Sequence, residues 1–143
     1  MSKGNTFEDD ILKLVFNGTP IPNLADNAAA APLSNVYLSL HNADPGEGGS
    51  QSTNEVSYGG YARVAVSRNT SGWVILNGSA SPVSAIEFGE MTSGTPGTAT
   101  HAVIGTAASG SGKILYKGSL TPAVALNVGV VPRLRTTSTI TED

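Results

Sequence analysis

The stretch Asn35–Val66, NVYLSLHNADPGEGGSQSTNEVSYGGYARVAV, decides the fold. It opens on strict alternation: Val36, Leu38 and Leu40 against Tyr37, Ser39 and His41. A side-chain period of two puts those sets on opposite faces of a strand. It closes on a second alternation, in which Ala62, Val64 and Val66 oppose polar or amphipathic neighbours and Arg63 and Arg68 are expected on the wetter face. Between them the hydrophobic periodicity stops. Five glycines and three acids fall between His41 and Val66, so two strands are joined by a long loop rather than by a helix or a tight hairpin.

The same grammar continues along the chain. GWVILNG (Gly72–Gly78) and SPVSAIEFG (Ser81–Gly89) form the next pair, and the Asn77-Gly78 dipeptide suits a type I′ hairpin. THAVIGT (Thr100–Thr106) and KILYKGSL (Lys113–Leu120) bracket the turn AASGSG, and AVALNVGVVPRLR and TTSTITED supply the last strands. About eight short strands separated by Gly, Asn and Pro turns predict an antiparallel β-sandwich or jelly-roll-like fold. No repeat period marks a solenoid or propeller. The expectation is all-β, a single domain over 1–143, with a helix at about 6–17, an extended linker at 18–34 and the sandwich at 35–143.

One segment reads as a helix. In NTFEDDILKLVFNG (Asn5–Gly18), Phe7, Ile11, Leu14 and Val15 share one face and predict the packing stripe. Asn5 or Thr6 is the expected N-cap, Glu8, Asp9 and Asp10 suit the positive end of the helix dipole, and Gly18 suits a left-handed stop. The stripe is expected to pack on its own chain, because Gly18 and the prolines after it can turn the chain back.

Composition excludes several functions. At 143 residues, with hydrophobic content of 39% and net charge −3, the chain can bury a core and is not of disordered type. Charged residues make up 13%, against roughly 25% in an average domain. Eight Lys and Arg in a weakly acidic chain give no basic patch for nucleic acid. With no cysteine there is neither a disulfide framework nor a thiolate metal site. The opening residues lead into an acidic helix rather than an apolar core of a signal peptide, and no apolar run matches a bilayer.

The motifs that suggest chemistry fail on inspection. Counted from Asp44 as an EF-hand loop, Gly49, Ser52 and Glu55 fall at positions 6, 9 and 12, but Gly46 and Gly48 replace the oxygen ligands at 3 and 5. GTAASGSGKI has the look of a phosphate loop, yet Ala107 stands where a glycine is required and Ile114 where the magnesium hydroxyl belongs. It reads as a flexible hairpin tip. His41 and His101 are too few for a three-histidine zinc site, and His41 is expected to be a surface or hydrogen-bonded structural residue. No nucleophile has a local partner. The reading is no enzyme, no catalytic residues, no cofactor and no metal.

NVYLSLHNADPGEGGSQSTNEVSYGGYARVAV, GTAASGSGKILYKGSL and the closing TED together resemble a family of small tailed-bacteriophage virion proteins. Many of its members are labelled tail-fibre proteins, and related small β-proteins serve as cement, or decoration, proteins on the capsid. The resemblance covers nearly the whole chain and implies a structural virion component without catalytic residues. A shaft-like fibre needs repeats, heptads or a stalk, and none is present. A capsid clamp needs a rigid module with contact loops, present in many copies. The expectation is a cement protein on the outer capsid surface, made in the host cytoplasm, binding the phage major capsid protein and self-associating as a dimer or trimer. A small tail-fibre or baseplate component is the alternative. A carbohydrate-binding β-sandwich is the third reading, weakened because Trp73 lies in a strand and is expected in the core.

Loops as long as Asn42–Tyr58 are uncommon unless functional or mobile. The loop is expected to reach a neighbouring protein through Asp44, Pro45, Glu47, Glu55 and Tyr58, and to be mobile until it does.

Overall fold

The computed structural model describes residues 5–20 and 33–141, with the side chains of the N-terminal helix described from Asp9 onward. Chain order is α1 (Asn5–Leu12), a π-helical turn (Lys13–Asn17), β1 (Asn35–His41), β2 (Val64–Ser67), β3 (Trp73–Leu76), β4 (Ser79–Pro82), β5 (Ile86–Glu87), β6 (Gly97–Gly105), β7 (Ile114–Leu126), β8 (Arg133–Leu134) and β9 (Ile140–Thr141). The fold is antiparallel β with one short N-terminal helix, as the alternation predicts. Strands assemble as β2-β1-β6-β7, β3-β4-β9 and β5-β8. Most of the expected linker lies outside the described residues, and so do the side chains of Asn5 and Thr6, the expected caps.

Two compact units make up the chain. The first comprises Met1–Asn35, Val66–Ile86 and Leu134–Asp143; the second comprises Val36–Ala65 and Glu87–Arg133.

In the first unit, Asn77 (φ 50°) and Gly78 (φ 69°) close the β3–β4 hairpin on the pair Leu76↔Ser79. Both turn residues are left-handed, as a type I′ turn requires. Trp73, Ala80 and Pro82 are buried, and Val74 and Leu76 point outward. The helix lies against this hairpin. Its buried residues are Leu12 and Phe16, and the Phe16 ring sits 4.3 Å from that of Trp73.

That pair corrects the expected packing stripe. Ile11, Leu14 and Val15 are only half-buried, and the side chain of Phe7 lies outside the described residues. Leu12 and Phe16, four residues apart, share a face of the helix, and that face rather than the one carrying Ile11, Leu14 and Val15 is buried. Gly18 ends the helix at φ 64°, its N–H donating to the Lys13 carbonyl.

Arg68 also departs from expectation. Instead of lying on a wet strand face, its guanidinium donates to the carbonyls of Val15, Leu14 (2.8 Å) and Leu33 (2.6 Å). The last carbonyls of a helix lack intrahelical partners and carry its negative end, which a guanidinium satisfies on both counts.

In the second unit, β1 pairs with β6 from Tyr37↔Gly105 to His41↔His101, and β6 pairs with β7 from Gly97↔Leu126 to Gly105↔Ile114. Register shifts interrupt the second ladder after Ala99 and after Ile104. Val36, Leu38, Leu40 and Val103 are buried, but so are Ser39 and His41 on the other face. The long loop covers that face.

Candidate functional site

The loop after β1 is built into the second unit. Asn42 N–H donates to the Asn54 carbonyl and Val56 N–H to that of Leu40, so Glu55 bridges to His41 beside the strand. Asn54, in the left-handed region at φ 57°, donates its side-chain amide to the Asp44 carbonyl (3.0 Å). Gly49 approaches so closely that a β-carbon there would lie 2.2 Å from the Pro45 carbonyl oxygen. The loop is therefore hydrogen-bonded across its own neck.

Two side chains tie this loop to the β6–β7 hairpin tip. Gln51, fully buried, accepts at Oε1 from Ala107 N–H (2.9 Å) and donates from Nε2 to the Tyr37 carbonyl (3.3 Å). Its own backbone N–H donates to the Gly112 carbonyl. Arg63 reaches the same tip, donating to the carbonyls of Ala107 (2.9 Å) and Gly110 (2.6 Å). These hydrogen bonds clasp the tip. A β-carbon at Gly105 or Gly112 would fall 2.1 Å from the Gln51 side chain, so these glycines make the room it occupies.

The expected contact residues have these places. Asp44 is exposed, accepting from Gly46 N–H (2.8 Å) and pairing with Lys117 (3.0 Å). The backbone N–H first, and the ammonium second, hold its carboxyl below the usual carboxylate range. Pro45 is buried and Glu47 is exposed. Glu55 is bound by Arg63 through two contacts of 2.7 Å and accepts from the Tyr61 hydroxyl (2.9 Å). Tyr58 is half-buried and donates to the Gly89 carbonyl (2.9 Å). Its ring meets Tyr61 edge-on at 5.2 Å, and Tyr61 stacks over Phe88. Burial pushes both phenols up. Asp44 and Glu47 thus remain on the outside of the loop, while Pro45, Glu55 and most of Tyr58 are used to build it.

His41 is structural. Burial lowers its pKa, so the ring is neutral at neutral pH. Nδ1–H then donates to the Thr53 carbonyl (2.8 Å), and Nε2 accepts from the Ser39 hydroxyl (2.9 Å). Asp44 and Glu55, the carboxylates of the partial calcium pattern, are each matched with a cation of the protein. Among the described residues no group of three or more His, Cys, Asp or Glu is placed to hold a metal. Trp73 is a core residue.

Sequence reasoning missed Gln51, Arg63 and Arg68. One signal was available: in a chain so poor in charge, an arginine embedded in apolar sequence needs a buried set of acceptors. Nothing local marks Gln51, whose partners lie far along the chain.

The chain belongs to the family described as podophage GP4 fiber I protein gp80, which residues 3–141 match. It is therefore a phage virion protein family member, and its place is the virion. None of the curated proteins compared with the chain matches it. Among the described residues no helix is long and apolar enough to cross a membrane.

Proposed function

We propose that the chain is a non-catalytic component of the phage tail-fibre apparatus, acting as a node that joins or caps other fibre proteins. The observation that carries this reading is the fibre description of the family, matched over residues 3–141. The fold supports a node rather than a shaft, because the described elements are short sheets and clasped loops with no repeated unit. Binding is by protein surface, including self-association as a dimer or trimer. The exposed part of the long loop around Asp44 and Glu47 supplies polar contacts.

A second reading, a cement protein on the outer capsid surface that binds the major capsid protein, keeps support from the clasped loop. A clamp must be rigid before it docks, and Gln51 and Arg63 provide that rigidity. Gentle disruption of purified virions, separation of heads from tails by sedimentation, and immunoblotting distinguish the two. Recovery with tails supports the fibre reading and recovery with heads supports the capsid reading. Absence from purified virions overturns both.

A further inference from the structure

Asn77-Gly78 is exposed at the asparagine, and Asn-Gly is the dipeptide in which a backbone nitrogen most readily attacks the preceding side-chain amide. Here that nitrogen is occupied: Gly78 N–H donates to a carboxylate oxygen of Asp9, from α1. We propose that Asn77-Gly78 is a latent self-modification site, held closed by the Asp9 carboxylate for as long as the N-terminal helix stays docked on the β3–β4 hairpin.

The chemistry is a cyclisation followed by hydrolysis. Gly78 N loses its proton to solvent base and attacks Cγ of Asn77. The N–Cγ bond forms, Nδ2 takes a proton back from solvent, the Cγ–Nδ2 bond breaks and ammonia leaves. Water then opens the five-membered imide at one carbonyl or the other, giving aspartate or isoaspartate at position 77. The slow element is the nucleophilic nitrogen, which carries negative charge once deprotonated. A carboxylate bonded to that N–H holds negative charge where more would develop, and so opposes deprotonation. The turn opposes it as well. With both residues left-handed and Leu76 paired to Ser79, the backbone cannot swing Gly78 N onto Cγ without breaking the hairpin.

Release of the helix removes the first restraint and exposes the second. Isoaspartate would add a backbone atom to a two-residue turn, and the β3–β4 register cannot absorb it. The product therefore marks, irreversibly, chains whose helix has come away. The chain carries its own control. Asn17-Gly18 is the same dipeptide, but its Gly18 N–H donates to the neutral Lys13 carbonyl at the helix end.

The test is a time course in warm, mildly alkaline buffer, with peptide mapping by mass spectrometry and enzymatic isoaspartate detection. It compares the full chain, Asp9→Ala, Asp9→Asn, and the full chain unfolded in urea. Asn77 should convert well over tenfold more slowly in the folded chain than in urea, and Asp9→Ala should recover about tenfold of that difference, as loss of one charge-assisted hydrogen bond implies, with the turn keeping the rest. Asp9→Asn, which keeps an acceptor without the charge, should fall between. Asn17 should be unmoved in either variant. Conversion of Asn77 at the wild-type rate or slower in Asp9→Ala overturns the proposal, the slower case because the carboxylate would then be acting as a base. Equal acceleration of Asn17 also overturns it, because general unfolding would explain both.

Discussion

Arg63 grips Glu55 at two points, Nε to Oε1 and Nη2 to Oε2, each at 2.7 Å, with the arginine side chain 3% exposed and the glutamate 16%. The same guanidinium holds two carbonyls of the β6–β7 tip. Removing one partner of a buried pair leaves an uncompensated charge, which costs far more than the pair contributes. Arg63→Ala should therefore destabilise the chain by about 3 kcal/mol or more. Arg63→Lys should rescue little, because an ammonium cannot reproduce the planar fork. Urea denaturation of the two variants is the check, and a lysine variant of wild-type stability would contradict the clasp.

Gly105 and Gly112 flank Gln51 from two sides. Gly112→Ala should destabilise by about 1–3 kcal/mol, the usual range for overpacking. Gln51→Ala should also destabilise, because Ala107 N–H and the Tyr37 carbonyl lose their partner. The double variant Gly112→Ala/Gln51→Ala should cost less than the sum of the two, since the collision with Gln51 is gone and only the one with Ala107 remains. A double-mutant cycle that comes out additive would show that the glycine is not making room for this side chain.

The helix supplies a third comparison. Phe16 is fully buried against Trp73, while Ile11 is half-buried. Phe16→Ala should cost about 3–5 kcal/mol. Ile11→Ala should cost markedly less. Thermal melts that reverse this order would restore the stripe that a regular helix places on Ile11, Leu14 and Val15.

His41 sets the acid side of stability. Desolvation lowers its pKa in the folded chain from the ordinary 6.5, with Arg63 and His101 lowering it further and the Thr53 carbonyl and Glu55 raising it. Below 6.5 the unfolded chain therefore binds a proton that the folded chain resists, and stability falls as pH falls through that value towards the lower folded pKa. Above it this group contributes no pH dependence. Urea midpoints should drop between neutral pH and mildly acidic pH in the wild type, and the drop should be smaller in His41→Gln. Equal slopes in the two proteins would remove His41 as the source.

How much of this was legible in the sequence follows from the range of each interaction. Alternation in NVYLSLH located β1 to the residue, and Asn77-Gly78 located the type I′ turn, because both signals are local. The helix end was legible from Gly18, but its buried face was not, because both the Leu12–Phe16 face and the Ile11–Leu14–Val15 face are apolar and only the hairpin it packs on chooses between them. The long loop read as open because its ties are non-local: Gln51 to Ala107 and Arg63 to Gly110 span separations that no periodicity encodes. Low charge was the usable hint for Arg63 and Arg68, which go to internal acceptors, whereas Arg133 and Arg135 stay exposed.

The central claim is a place in the virion. Gold-labelled antibody against this chain, imaged by electron microscopy on intact particles, tests it most directly. Label confined to the tail and its fibres is the predicted result; label distributed over the head, with none at the tail, would contradict it.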